Sequence, residues 1–158
     1  MTRSPRRNFV LSSLFALAVV PLTAAVQRPS TIQERAQGAE RVVVASVADT
    51  SANYERNQFG DNLIVTHAKL AVEEAIKGAG GPVTLAIEGG TVNGITLHVS
   101  SLPALSRGER AVFFLTPGPN GQFVPYLRGQ GILKLDATNH VKGTTVSLDD
   151  VRRMARGR

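Results

Sequence analysis

The chain holds three histidines, His67, His98 and His140, and no cysteine. Without cysteine there is no thiolate nucleophile and no cysteine metal site, which leaves the imidazoles as the first candidates. They show neither the His-Glu-x-x-His pattern nor any close ligand pair, so a metal site would have to be assembled from three separate segments. His67 and His98 each fall on the face opposite the apolar residues of an alternating stretch, which predicts imidazoles that look into solvent. Acyl hydrolysis needs an activated Ser or Cys beside a base, and no Gly-x-Ser-x-Gly elbow is present. His98 close to Ser100 and Ser101 is the one seed for a hydrolase with dispersed residues. The paired carboxylates Glu73-Glu74 would point to opposite faces of a strand and could not converge on one substrate. Asp149-Asp150 reads as the acidic first turn of a helix rather than an acid–base pair. The glycine cluster at 78–81 lacks the Lys-Ser/Thr of a phosphate loop and reads as a turn. The expectation is therefore no catalytic residue, no cofactor and no metal ligand set.

The elements that would position these residues are predominantly strands. Val42-Val43-Val44-Ala45-Ser46-Val47 is a β-branched run bounded by polar residues, as a buried strand requires. Residues 49–62, rich in Asn, Asp and Gly, read as a loop. From Ile64 the apolar residues Ala68, Leu70, Val72 and Ile76 recur with period two. Residues 68–77 also scan as a helix with Gly78 as its cap, but the alternation begins earlier than a helix could, which favours a long strand. Val83, Leu85 and Ile87 alternate next. An Asn93-Gly94 turn pair predicts a hairpin into Ile95, Leu97 and Val99, expected to face one way. Ala111-Val112-Phe113-Phe114-Leu115 reads as a central strand, and short strands follow at 123–127 and 132–135. Six or more short strands separated by turn signals predict a mainly β chain closed as a barrel or sandwich. Ser147 as N-cap, followed by Leu148, Asp149 and Asp150, starts a short C-terminal helix.

The first 25 residues have the layout of a secretory signal, with Arg3, Arg6 and Arg7 at the start, an apolar run at 9–20 and small residues at Thr23, Ala24 and Ala25. Arg6-Arg7-Asn8-Phe9-Val10 resembles a twin-arginine motif, and an ordinary export signal fits equally. The run is shorter than the roughly 20 apolar residues of a membrane span. The organisation expected is a signal peptide at 1–25, a linker or a frayed short helix at 26–40, a β-barrel domain at 41–146, and a helix with a basic tail at 147–158. Periplasmic or secreted localisation follows, with membrane contact only through an uncleaved signal. The net charge of +6 arises from 18 basic and 12 acidic residues. Three basic residues lie in the signal and four in the last seven positions, which leaves 11 basic against 12 acidic between 26 and 151. A body so near neutrality, with 5% aromatic residues and no Trp, is not that of a nucleic-acid reader. Arg152, Arg153 and Arg156 are the candidate contacts for an acidic partner, and they also complement the negative end of the predicted helix.

With the strands placed, the middle of the chain, about residues 41–136, resembles the netrin/tissue-inhibitor-type (NTR-like) branch of OB-fold domains. The resemblance rests on the valine-rich first strand, on the 64–78 string that opens Ile64-Val65-Thr66-His67 and closes Glu74-Ala75-Ile76-Lys77-Gly78, and on Gly108-Glu109-Arg110-Ala111-Val112-Phe113-Phe114-Leu115. It implies a small closed or partly open antiparallel barrel and a binding style rather than an activity. Members that inhibit zinc proteases use a disulfide-anchored N-terminal cysteine, and this chain has no cysteine to carry that mechanism. The expected function is an exported, non-catalytic binding or accessory domain that engages another exported protein. A carrier holding a small apolar ligand inside the barrel is the alternative, and the dispersed hydrolase a second.

Overall fold

The computed structural model describes residues 28–57 and 59–157. The signal-peptide reading of residues 1–25 lies outside them. Helix α1 (Ile32–Gly38) opens the described chain with a reciprocal cap, in which the Thr31 hydroxyl accepts from the Glu34 N–H and the Glu34 carboxylate accepts from the Thr31 N–H. Its Ala36, and Ala39 just beyond it, are buried. Of the stretch read as a linker or a frayed short helix, residues 32–38 form this helix and bury Ala36 in the core.

Strands β1 (Arg41–Arg56) and β2 (Asn62–Lys77) form one long antiparallel ribbon. The strand reading of residues 68–77 holds. The expected loop at 49–62 is mostly strand: β1 runs on to Arg56, and only the tip at 57–61 turns. There Asn57 Oδ1 accepts from the Phe59 and Asp61 N–H groups, each at 2.9 Å. Polar Ser51 and Asn53 are compatible with a strand because the face they share on this distal ribbon looks largely into solvent.

Next come β3 (Val83–Glu88), the short hairpin β4 (Gly90–Val92) with β5 (Ile95–Leu97), then β6 (Arg110–Pro117), β7 (Phe123–Pro125), β8 (Ile132–Lys134) and helix α2 (Leu148–Ala155). Asn93 and Gly94 both take positive φ, 50° and 78°, as the expected two-residue turn requires. The alternation predicted after that turn is cut short, since β5 ends at Leu97 and Ile95 is 60% exposed. The main sheet runs β1-β2-β3-β7-β6-β8, and β1 also pairs with β6. Strand β3 meets β7 only through the parallel pair Leu85↔Phe123. The sheet is thus a partial ring rather than a barrel, in a mainly β chain that ends in a short helix.

Two cores explain the central strands. Val43, Ala45 and Val47 of β1 point inside the ring with Leu70, Leu85, Phe113 and Leu115. Val42 and Val44 point outside it with Val112 and Phe114, beneath α1 and α2. Burial on both faces is why β1 and β6 read as unbroken apolar runs instead of alternating ones. Ser147 and Asp150 cap α2 reciprocally, and Leu148 and Val151 bury its inner face. No helix among the described residues is long and apolar enough to cross a membrane.

Candidate functional site

A trough of about 540 Å³ lies on the outer face of the sheet. Val65 of β2, Ala86 of β3 and Val124 of β7 lie along it, and Leu63 extends the apolar floor toward the ribbon tip. One wall is that tip, with Glu55, Asn57 and Phe59. The other is the β6–β7 turn, with Pro119, Asn120 and Gln122. Each wall is locally determined. The tip is held by the Asn57 side chain, and the opposite turn by the Gly118 N–H bonded to the Gln122 carbonyl at 2.8 Å, with Asn120 at φ 57°. Phe59 stands 79% exposed at the rim. An aromatic ring left in water beside an apolar floor is the feature most in need of a partner.

The polar groups around the trough are mostly pinned. Glu88 accepts from the Arg128 guanidinium at 2.9 Å, and the same side chain reaches the Ser101 hydroxyl at 3.0 Å. Arg128 is set by a rare backbone, since Leu127 and Arg128 both take left-handed φ, 54° and 55°. Two such residues in a row persist only where the surroundings over-determine them. Here Gly129 donates to the Ser101 carbonyl at 3.0 Å, and a Cβ on Gly129 would lie 2.1 Å from that oxygen. Glu55 bonds the Nε2 of His67. His67 pairs with Ala86 in the β2–β3 ladder, beside the trough.

His67 corrects the expectation of a solvent-facing imidazole. Its side chain is only 14% exposed, and its Nδ1 is buried without a hydrogen-bond partner. Glu55, which bonds its Nε2, comes from the distal half of β1, a segment read in the sequence as loop. His98 is exposed as expected and borders a separate small pocket of about 100 Å³. Of the two serines near His98, the Ser101 hydroxyl accepts from the Arg128 guanidinium at 3.0 Å. His140 bonds the Thr138 hydroxyl through Nδ1 at 3.0 Å. It lines a polar cleft of about 360 Å³ together with Arg110 and Arg152. Among the described residues no three His, Asp or Glu side chains come together as a metal site.

Arg152, Arg153 and Arg156 do not border the trough. Arg152 clasps Glu74 of β2 at 2.6 Å and Asp149 at 2.6 Å. Arg153 pairs with Asp150, and Arg156 lies 3.6 Å from Glu74. Arg152 and Arg156 brace the end of the chain against the sheet through Glu74, whereas the Arg153 pair stays within α2. The ring interior is filled by Leu85, Phe113 and Leu115, each at 0% exposure. Sequence reasoning missed the trough, although one signal was present: Leu63-Ile64-Val65 places apolar residues on both faces of β2, where a ribbon with one wet face needs them on one. Neither a family model nor a curated protein matches this sequence.

Proposed function

We propose that the chain is an exported, non-catalytic binding domain that holds an extended stretch of another exported protein in the outer trough. The observation that carries this reading is the trough itself, apolar along its floor, walled by two ordered turns and topped by the exposed Phe59 ring. Its volume falls within the range of about 300–1,000 Å³ usual for binding clefts. Its polar groups are the amides of Asn57, Asn120 and Gln122, the Arg56 guanidinium, and the carboxylates of Glu55 and Glu88 bonded to His67 and Arg128, with no hydroxyl or thiol among them. The β1–β2 and β6–β7 turns flank the face made by β2 and β3. A partly open ring of five strands with these two turns flanking that face is the arrangement by which OB-type domains bind, which supports the OB/NTR-like reading. Glu55 and Glu88 outnumber Arg56 along the trough, which disfavours a polyanion. The Arg3, Arg6, Arg7 and apolar 9–20 pattern supports export to the periplasm or beyond.

The test is selection of displayed random peptides on the purified protein. Binders should be extended and apolar, should be lost with Val65→Arg and with Val124→Arg, and should survive Arg153→Glu. Binders indifferent to both trough substitutions, or turnover of an ester, peptide or glycan substrate, would sink the proposal.

A further inference from the structure

The distal half of β1 has a second property, independent of the trough. Strand β6 pairs with β1 only from Arg41 to Ser46, and the Gly108 and Glu109 backbone closes that contact at Val47. Beyond it, no strand among the described residues pairs with the outer edge of β1. The phase of the ladder says which groups face that edge. The Ile64 carbonyl accepts from Gly89 at 2.7 Å, so the even-numbered residues of β2 at this end turn their backbone toward β3 and the odd-numbered ones toward β1. Lys69, His67, Val65 and Leu63 stand opposite Asp49, Ser51, Asn53 and Glu55. The N–H and C=O groups of Thr50, Ala52, Tyr54 and Arg56 therefore point outward.

Exposed edges are normally blunted by shortness, by Lys or by Pro. The margin at β8 obeys this: β8 spans only 132–134, ends in Lys134, and has the Lys134 carbonyl taken by the Lys142 N–H at 2.8 Å. Residues 49–56 are long by comparison and hold neither Lys, Pro nor Gly.

We infer that this edge is a dimer interface, in which β1 pairs antiparallel with β1 of a second copy about a two-fold axis at Asn53. A two-fold requires each outward-facing residue to meet another outward-facing one, and the register centred on Asn53 does so. Ala52 faces Tyr54 of the second copy, and Thr50 faces Arg56. Ser51 faces Glu55, Asp49 faces Asn57, and no two like charges are opposed. The register centred on Ala52 instead sets Asp49 against Glu55. The self-complementary strand recruits the same segment of a second copy, and the two-fold closes the assembly at two. Ser51, Asn53 and Glu55 share the outer face of the sheet with the trough, so the two troughs open on one surface.

Asn53 and its mate form a non-hydrogen-bonded pair with Cα atoms about 4.5 Å apart, within disulfide reach. In a chain without cysteine, Asn53→Cys should oxidise to a covalent dimer that keeps the wild-type circular dichroism. Ser51→Cys, four residues from its own mate in this register, should stay monomeric under the same oxidant. Sedimentation of the unmodified protein should show a reversible dimer. Asn53→Lys should weaken it at least tenfold by opposing two ammonium groups on the axis. Ala52→Pro, which removes an outward N–H and leaves the ladder to β2 intact, should give a folded monomer. A monomer at every soluble concentration, equal cross-linking of the two cysteine variants, or a dimer unaffected by Ala52→Pro in a folded protein would overturn the inference.

Discussion

Asp150 shows how much one carboxylate can organise. It accepts from the Ser147 hydroxyl at 2.6 Å and from the Ser147 N–H at 2.9 Å, and it pairs with Arg153. These bonds, the serine hydroxyl foremost, hold its pKa down from 3.8 to about 2. Because the folded value lies below the unfolded one, the stability it contributes is complete above about pH 4 and is lost as pH falls toward 2. Denaturant midpoints measured across that window should fall for the wild type and fall less steeply for Asp150→Asn. Equal slopes would show that the cap does not titrate with folding. Ser147 and the acids after it were legible as a cap because capping is local, confined to neighbouring residues. The role of Arg152 was not. Its partner Glu74 lies 78 positions away, and a basic residue near a helix end looks the same whether it complements the dipole or clasps another element.

At the scale of elements, the apolar runs at 42–47 and 111–115 announced the two central strands, because burial on both faces leaves a continuous signature. Helix α1 left almost none. Seven residues make two turns, and only Ile32, Ala36 and Ala39 meet the core, so no helical period could emerge from a polar surround. Its contribution is cover: with α2 it shields Val42, Val44 and Phe114 from water. A protein shortened to begin at residue 39 should bind a hydrophobic dye and lose the cooperativity of its thermal transition, whereas an unchanged melting curve would make α1 an ornament. The distal ribbon was hidden for another reason. Strand formation at 49–56 is imposed by pairing with β2, not by composition, and polar residues accept that geometry when one face is wet. The trough and the free edge are products of that extension, so the sequence held no more of either than the apolar Leu63 and Val65 on the outer face.

For the molecule as a whole, the near balance of 11 basic and 12 acidic residues between 26 and 151 leaves shape and apolar area to decide what it meets. Strand β1 joins two regimes. Its first six residues are held between β2 and β6 and sandwiched by two cores, whereas its last eight are held by β2 alone. A protease that nicks the exposed tip at 57–61 should therefore yield two fragments that co-elute as one particle with an almost unaltered melting temperature. Separation of the pieces on cleavage would show the ribbon to be essential to the body. A hairpin that survives being cut is also one that tolerates being lengthened, so the tip is where a foreign loop or reporter could be grafted while the helix-covered layer stays as it is.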